Sequence, residues 1–537
     1  MTSPRPTRPR LLLASLAAGA LLLATGCDDP SAASTDHATA ATTLSGRPAG
    51  ADDPALASFY GQQITWSACP ADPNAGDADP TGMQCGKLHV PLDYTKPAAD
   101  ALDLALIRLP AAQSGQRVGS LVVNPGGPGA SGVDMVRSGA KRFGGALHDR
   151  LDVVGFDPRG TGASSPVLCL DDKQRDDLSQ QDRPLDPAKR KAAVEATDRA
   201  ISAACQAKSG RILPFVGTRN TARDLDVLRQ ALGDPKLNYL GISYGTYLGA
   251  LYAEEFPGKT GRLVLDGAVD PAADQLDFAI GSVIGMESSF RRFAEDCVRT
   301  HAAECPLGTD PAAAPQKLAD YLEGLHDHPL DTPDGRRLNS DLGWTGTSAF
   351  LYGSEKTAWP RLREALTAAI TQHRGDLLLA AADSYNGRDE QGHYDPMDAA
   401  NRAIKCADGG AATPSPEKLK QQVARLDAEA PLVAKGTTPE ELLTSTCANW
   451  PFKSPEKPHT VRAEGSAPIL VVGTTGDPAT PYAAAESLAK GFANATLLTR
   501  EGEGHGAFGK GNACIDAALT AYLVSGTVPA AGTRCAG

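Results

Sequence analysis

LGISYGTYLG, Leu240 to Gly249, sets one serine between two glycines in the spacing G-x-S-x-G: Gly241, Ser243, Gly245. The spacing alone is weak, because in a chain this rich in glycine chance gives on the order of 0.3 matches. Its flanks decide the reading. LNYLGIS in front is a short apolar run of the kind that is buried on both faces of a parallel sheet. YGTYLGALYAEEFPG behind has a helical pattern. A strand, a sharp turn and a helix make a nucleophile elbow, which presents a strained serine at the carboxyl end of a sheet. The two glycines leave room for the turn, and the helix N-terminus favours negative charge near the serine oxygen. The plain alternative is an ordinary serine in a glycine-rich turn, and the strand–helix context weighs against it.

A serine hydroxyl is a poor nucleophile at neutral pH. It needs a base, and the base needs a carboxylate to orient it. On an elbow of this kind the chain order is Ser, then Asp or Glu, then His. Among ten histidines, only His505 follows the last strand-like run, in GEGHG. The carboxylate is expected after the preceding strand, where VVGTTGDPATP places Asp477. Glu501 and Glu503 are less suited, since they crowd His505 on its own loop. Thr480 either hydrogen-bonds the loop that holds Asp477 or is only a turn residue.

Working outward, GSLVVN, LDVVGFD and GRLVLDG are further short apolar runs bounded by Gly, Asp or Asn. KLHVPLDY and LDLALIRL alternate as strands do. Helical stretches such as TARDLDVLRQALG lie between some of them. Strands alternating with helices indicate a doubly wound α/β fold with a mostly parallel sheet. Beyond Asp270 the character changes. AIGSVIGMESSFRRFAEDCV, PQKLADYLEGL, WPRLREALTAAITQH and PEKLKQQVARLDAEA are helical, and strands return only with APILVVGTTGD and ATLLTREGEGHG. We therefore expect a core over 58–270, a mainly helical cap over 271–460, and a C-terminal core part over 461–537 that carries the Asp and the His.

NPGGPGASG, Asn124 to Gly132, has two readings. Gly127, Gly129 and Gly132 follow a strand in the G-x-G-x-x-G spacing of a dinucleotide loop, and Asp157 lies near where a ribose carboxylate would be. A pyrophosphate loop works through backbone N–H groups, however, and Pro128 has none. A hydrolase needs one N–H from the loop after the third strand and one from the residue after the nucleophile. Gly127 and Tyr244 supply them, with Gly126 as the alternative donor in the loop.

The N-terminus has an Arg-rich start, the uncharged run LLLASLAAGALLLA, and then TGC ending at Cys27. Residues 1–27 thus form an export signal. They end either in a lipobox that anchors the protein through Cys27 or in a plain secretion site, with Ala24 standing where a lipobox usually has Leu. Residues 28–57 are rich in Ser, Thr, Ala and Gly and form a linker. The ten cysteines after Cys27 suit disulfides in an exported protein. Pairing near neighbours joins Cys69–Cys85, Cys169–Cys205, Cys297–Cys305, Cys406–Cys447 and Cys514–Cys535. A formal net charge of -12 argues against a nucleic-acid groove. No Cys/His spacing suits a metal, and no cofactor is implied.

GGPG before the elbow, FDPRGTGAS after the next strand, GISYGTYLG, and TGDPATP with GEGHG resemble, in that order, the α/β-hydrolase serine peptidases related to proline iminopeptidases. They are most similar to the secreted tripeptidyl-aminopeptidase branch. The resemblance spans Ser58 to the C-terminus and is weakest in the cap. One departure is Asn124-Pro125, where related enzymes often carry a His before GGPG; that residue is outside the triad.

The resemblance implies an α/β-hydrolase fold. It also implies release of short peptides, tripeptides in this branch, from free peptide or protein N-termini through an acyl-enzyme on Ser243. Such an enzyme must bind an ammonium, and Glu287 in GMESSF and Asp408 in IKCADGG are the candidate carboxylates. Either could instead be a solvated helix charge or a structural cap. The competing enzyme is an exported carboxylesterase or lipase with the same triad. A binding protein on an inactive hydrolase fold is disfavoured by the complete Ser243, Asp477 and His505 set.

Overall fold

A computed structural model describes residues 50–70, 82–409, 413–435, 437–442, 447–452 and 454–537. The expected signal segment with Cys27, and the linker up to residue 49, lie outside the described residues. Ten strands form one sheet: β1 (Ser67–Ala68), β2 (Gln84–Pro91), β3 (Ala101–Leu109), β4 (Gly119–Asn124), β5 (Leu151–Phe156), β6 (Leu237–Ile242), β7 (Thr260–Asp266), β10 (Ile469–Gly476), β11 (Ala495–Glu503) and β12 (Arg534–Cys535). The short strands β8 (Leu330–Asp331) and β9 (Arg337–Leu338) form a separate antiparallel pair. The order in the large sheet is β1-β2-β3-β5-β4-β6-β7-β10-β11-β12. β1, β2 and β3 pair antiparallel, as does β3 with β5; from β5 to β12 all neighbours are parallel. This is the α/β-hydrolase arrangement.

The apolar runs are continuous because both faces of the sheet are covered. Val122, Val154, Phe156 and Val471 belong to the core on one face. Their chain neighbours Leu121, Val123, Val153, Leu470 and Val472 belong to the core on the other. Parallel strands all end at the same edge of a sheet. The turns after β4, β6, β7, β10 and β11 therefore gather there, and they carry Gly127, Ser243, Gly267, Asp477 and His505.

The chain between β7 and β10 is mainly helical, with helices at Gln275–Thr300, Ala314–Gly324, Ser340–Leu351, Trp359–Thr371, Asp376–Tyr385, Met397–Ala407 and Pro416–Glu429 among its described residues. Much of it packs around its own core, which includes Phe290, Phe293, Trp344, Trp359, Leu362 and Leu366. Phe290 stacks on Trp344 at 5.2 Å, and Phe293 meets the Trp359 ring edge-on at 5.6 Å. A later part behaves differently. Ala400, Ala403, Ile404, Cys406, Cys447 and Trp450 join the main core instead, and the Cys406–Cys447 disulfide links the two segments.

The other four disulfides are Cys69–Cys85, Cys169–Cys205, Cys297–Cys305 and Cys514–Cys535, the near-neighbour pairing expected from sequence. Five disulfides fit an extracellular protein. No described helix is long and apolar enough to cross a membrane. One long element was not anticipated: the 23-residue helix Pro187–Ser209, between β5 and β6.

Candidate active site

Ser243 follows β6 directly and sits at φ 57°, ψ -124°. A non-glycine residue at positive φ is costly and persists only when its surroundings hold it. Those surroundings need the two glycines. A Cβ on Gly241 would lie 2.3 Å from the Gly245 carbonyl, and one on Gly245 would lie 2.8 Å from the Asn124 carbonyl. The Ser243 N–H donates to the Asp266 carbonyl at 2.9 Å. The Ser243 carbonyl accepts from the Thr246 N–H and hydroxyl at 2.8 and 2.6 Å.

Tyr244 opens the helix Tyr244–Glu255. As the first helical residue, its N–H has no carbonyl one turn earlier to bond. The Asn124–Gly132 loop lies against the elbow: a Cβ on Gly126 would stand 3.0 Å from Ser243 Cβ and 3.1 Å from Tyr244 N. The Gly126 N–H already donates to Asn124 Oδ1 at 3.0 Å.

Asn401 Nδ2 holds the Pro128 carbonyl at 3.0 Å from the helix Met397–Ala407 above. Asp157 is a brace and not a ribose ligand. It accepts from the Ser131 hydroxyl at 2.6 Å, from Val133 N at 3.2 Å and from Ala163 N at 2.9 Å.

Asp477 and His505 meet in the turns after β10 and β11. His505 Nδ1 is 2.9 Å from each Asp477 carboxylate oxygen. The same carboxylate accepts from Ala479 N and Thr480 N at 2.9 Å and from Gly506 N at 3.1 Å. Burial alone would push this carboxyl up, but the His505 charge and these hydrogen bonds outweigh it and hold the group below its ordinary range. Thr480 Oγ1 donates to Asp477 Oδ2 at 3.1 Å and lies 3.3 Å from His505 Nδ1. The helical segment touches the His505 loop as well. The His505 N–H donates to the Tyr352 carbonyl at 2.9 Å, and the Tyr352 ring meets the imidazole edge-on at 5.5 Å. Arg292 Nη2 donates to Glu503 at 2.9 Å, and Glu355 accepts from Glu503 N at 3.0 Å.

The two ammonium candidates part company. Glu287 is 1 % exposed. One oxygen accepts from Leu432 N and Val433 N at 3.1 and 2.8 Å, and the other from Arg291 Nε at 2.5 Å. Both oxygens accept hydrogen bonds inside the helical segment, which suits a structural cap. Asp408 ends the helix whose first turns cover the Asn124–Gly132 loop. Its carboxylate accepts from Thr218 N at 2.7 Å and from the Thr218 hydroxyl at 2.5 Å. That hydroxyl also meets the Tyr244 hydroxyl, one residue from Ser243. Desolvation, added to by the Glu456 charge, pushes the Asp408 carboxyl up to about 7.

Sequence reasoning missed Asp266, at the end of β7, which accepts backbone N–H groups beyond His505. An Asp–Gly pair after a strand reads as a turn, and nothing local shows which loop the carboxylate meets.

Residues 431–535 match the family described as TAP-like protein. The chain is similar to the serine protease Hip1 of Mycobacterium tuberculosis, at 40% identity over 88% of this chain and 91% of that one. Carboxylesterase B of the same organism is 37% identical over 88% of this chain and 90% of its own. The tripeptidyl aminopeptidase of Streptomyces lividans is 32% identical over 88% of this chain and 86% of its own.

Proposed function

Since the chain belongs to the TAP-like family of α/β-hydrolases, the serine hydrolases that include these relatives, we propose that it is an exported exopeptidase releasing short peptides, tripeptides foremost, from free N-termini. The observation that carries the reading is the His505–Asp477 pair, in turns at the same sheet edge as a strained serine. Ser243 Oγ attacks the carbonyl carbon. His505, with Nδ1 on Asp477, takes the proton at Nε2 and returns it to the leaving amine. The Tyr244 and Gly127 N–H groups hold the oxyanion. Water then attacks the acyl-enzyme with His505 again as base. Asp477 holds the imidazolium, and Thr480 fixes Asp477 and the ring together.

Asp408 is the remaining candidate for the substrate ammonium. The helical segment 271–460 covers the site as a cap and limits it to chain ends. Export agrees with the signal-like N-terminus and the disulfides. An esterase reading keeps one specific support, the likeness to carboxylesterase B, and uses the same residues on an acyl ester.

One substitution and one label separate these readings from a non-catalytic fold. Ser243→Ala is expected to lower kcat by about four orders of magnitude or more on a tripeptidyl anilide. Retained activity, or no labelling of the wild type by a fluorophosphonate, removes the mechanism. Parallel assay of the anilide and a short-chain ester ranks peptidase against esterase.

A further inference from the structure

One buried carboxylate at the site has no part in that mechanism. Asp266 closes β7 and is 1 % exposed. Its main-chain carbonyl accepts the Ser243 N–H at 2.9 Å. Its carboxylate accepts the Ala507 N–H with both oxygens, at 3.0 and 2.9 Å, and the Phe508 N–H at 2.8 Å. Ala507 and Phe508 lie two and three residues past His505, and both are buried. They belong to no helix or strand. Their N–H groups need an acceptor, and Asp266 supplies it.

The next residue, Gly267, makes the contact closer still. A Cβ there would stand 3.2 Å from His505 Cε1 and 3.3 Å from Thr480 Oγ1. The turn after β7 thus touches the nucleophile elbow on one side and the imidazole on the other.

We propose that Asp266 is a positioning residue for hydrolysis: its carbonyl holds the Ser243 turn, its carboxylate holds the His505 loop, and together they set the two reacting side chains in register. Ser243 and His505 come from different strands, β6 and β11, which are not neighbours in the sheet. The end of β7 lies between them and bonds to the Ser243 turn and to the His505 loop. A misplacement of about 1 Å at such a pair costs on the order of 100-fold in rate. Asp266 acts through the loop and does not touch substrate, so its loss falls on kcat and not on binding. The inference rests on the Ser243–His505–Asp477 reading above.

The test compares Ser243→Ala, Asp266→Ala and Asp266→Asn in the full protein, with folding checked by near-ultraviolet circular dichroism. Asp266→Ala is expected to lower kcat about 100-fold on a tripeptidyl anilide, with KM within about threefold of wild type. Asp266→Asn keeps one oxygen where both N–H groups point. It is expected to recover most of that loss and to stay within about tenfold of wild type. A folded Asp266→Ala with wild-type kcat, or a loss confined to KM, overturns the proposal. So does an Asp266→Asn no better than Asp266→Ala. Should Asp266→Ala fail to fold, Asp266→Asn decides alone, with a kcat loss of about three- to tenfold expected and wild-type kcat overturning the inference. Activity retained by Ser243→Ala marks failure of the site reading itself, whatever the Asp266 variants do.

Discussion

At the residue scale, the site sorts its carboxylates by what surrounds them. Asp477 is buried but faces His505 and several N–H donors, so it stays ionised. Asp408 is pushed up to about 7, first by desolvation, so it carries charge above that pH and loses it below. A peptide α-amino group loses its proton near pH 7.7–8.0, so an Asp408–ammonium pair is fully charged only in a narrow window around neutrality. If Asp408 reads the ammonium, KM for an unblocked peptide rises as pH falls below about 7, and Asp408→Asn flattens that dependence. A KM that Asp408→Asn leaves unchanged at every pH assigns the carboxylate to capping Thr218 alone. Thr480→Val tests the relay without touching charge. Loss of the hydroxyl is expected to lower kcat about tenfold with little change in KM, as stopped or continuous anilide assays would show.

At the element scale, the elbow explains why so much of the site could be read from sequence. Ser243, Asp477 and His505 each follow an apolar strand run, and parallel strands put all such ends on one edge. Chain order therefore stands in for geometry. Glu287 shows where this stops: its partners, Leu432 and Val433, lie 145 and 146 residues away, and no local pattern announces them. Asp266 was missed for the same reason. The helix Pro187–Ser209 escaped differently. Its sequence is mostly Ala, Lys, Arg and Glu with only scattered apolar residues, so periodicity is faint and tertiary contact decides. The elbow also allows a sharp stability test. Gly241→Ala would set a methyl 2.3 Å from the Gly245 carbonyl and 2.6 Å from Tyr239 Cε1. The strand end cannot move aside, so a loss of about 1–3 kcal/mol in denaturant unfolding is expected.

At the scale of the whole molecule, the helical segment reaches the candidate site directly. Tyr352, Glu355 and Arg292 hold the His505 loop from above, while Asp266 holds it from the sheet. The Cys406–Cys447 disulfide closes a 41-residue separation and fastens the part of this segment that joins the main core. Replacing both cysteines with serine is expected to cost about 4 kcal/mol of stability by unfolded-chain entropy, measured as a lowered midpoint in denaturant. The central claim concerns what the assembled site cuts. Wild type and Ser243→Ala are incubated with an unblocked peptide and with its N-acetylated twin, and products are identified by mass spectrometry. The account predicts that wild type frees an N-terminal tripeptide from the unblocked peptide only, and that Ser243→Ala frees nothing. Equal cleavage of the acetylated twin, or the same products from Ser243→Ala, would contradict it.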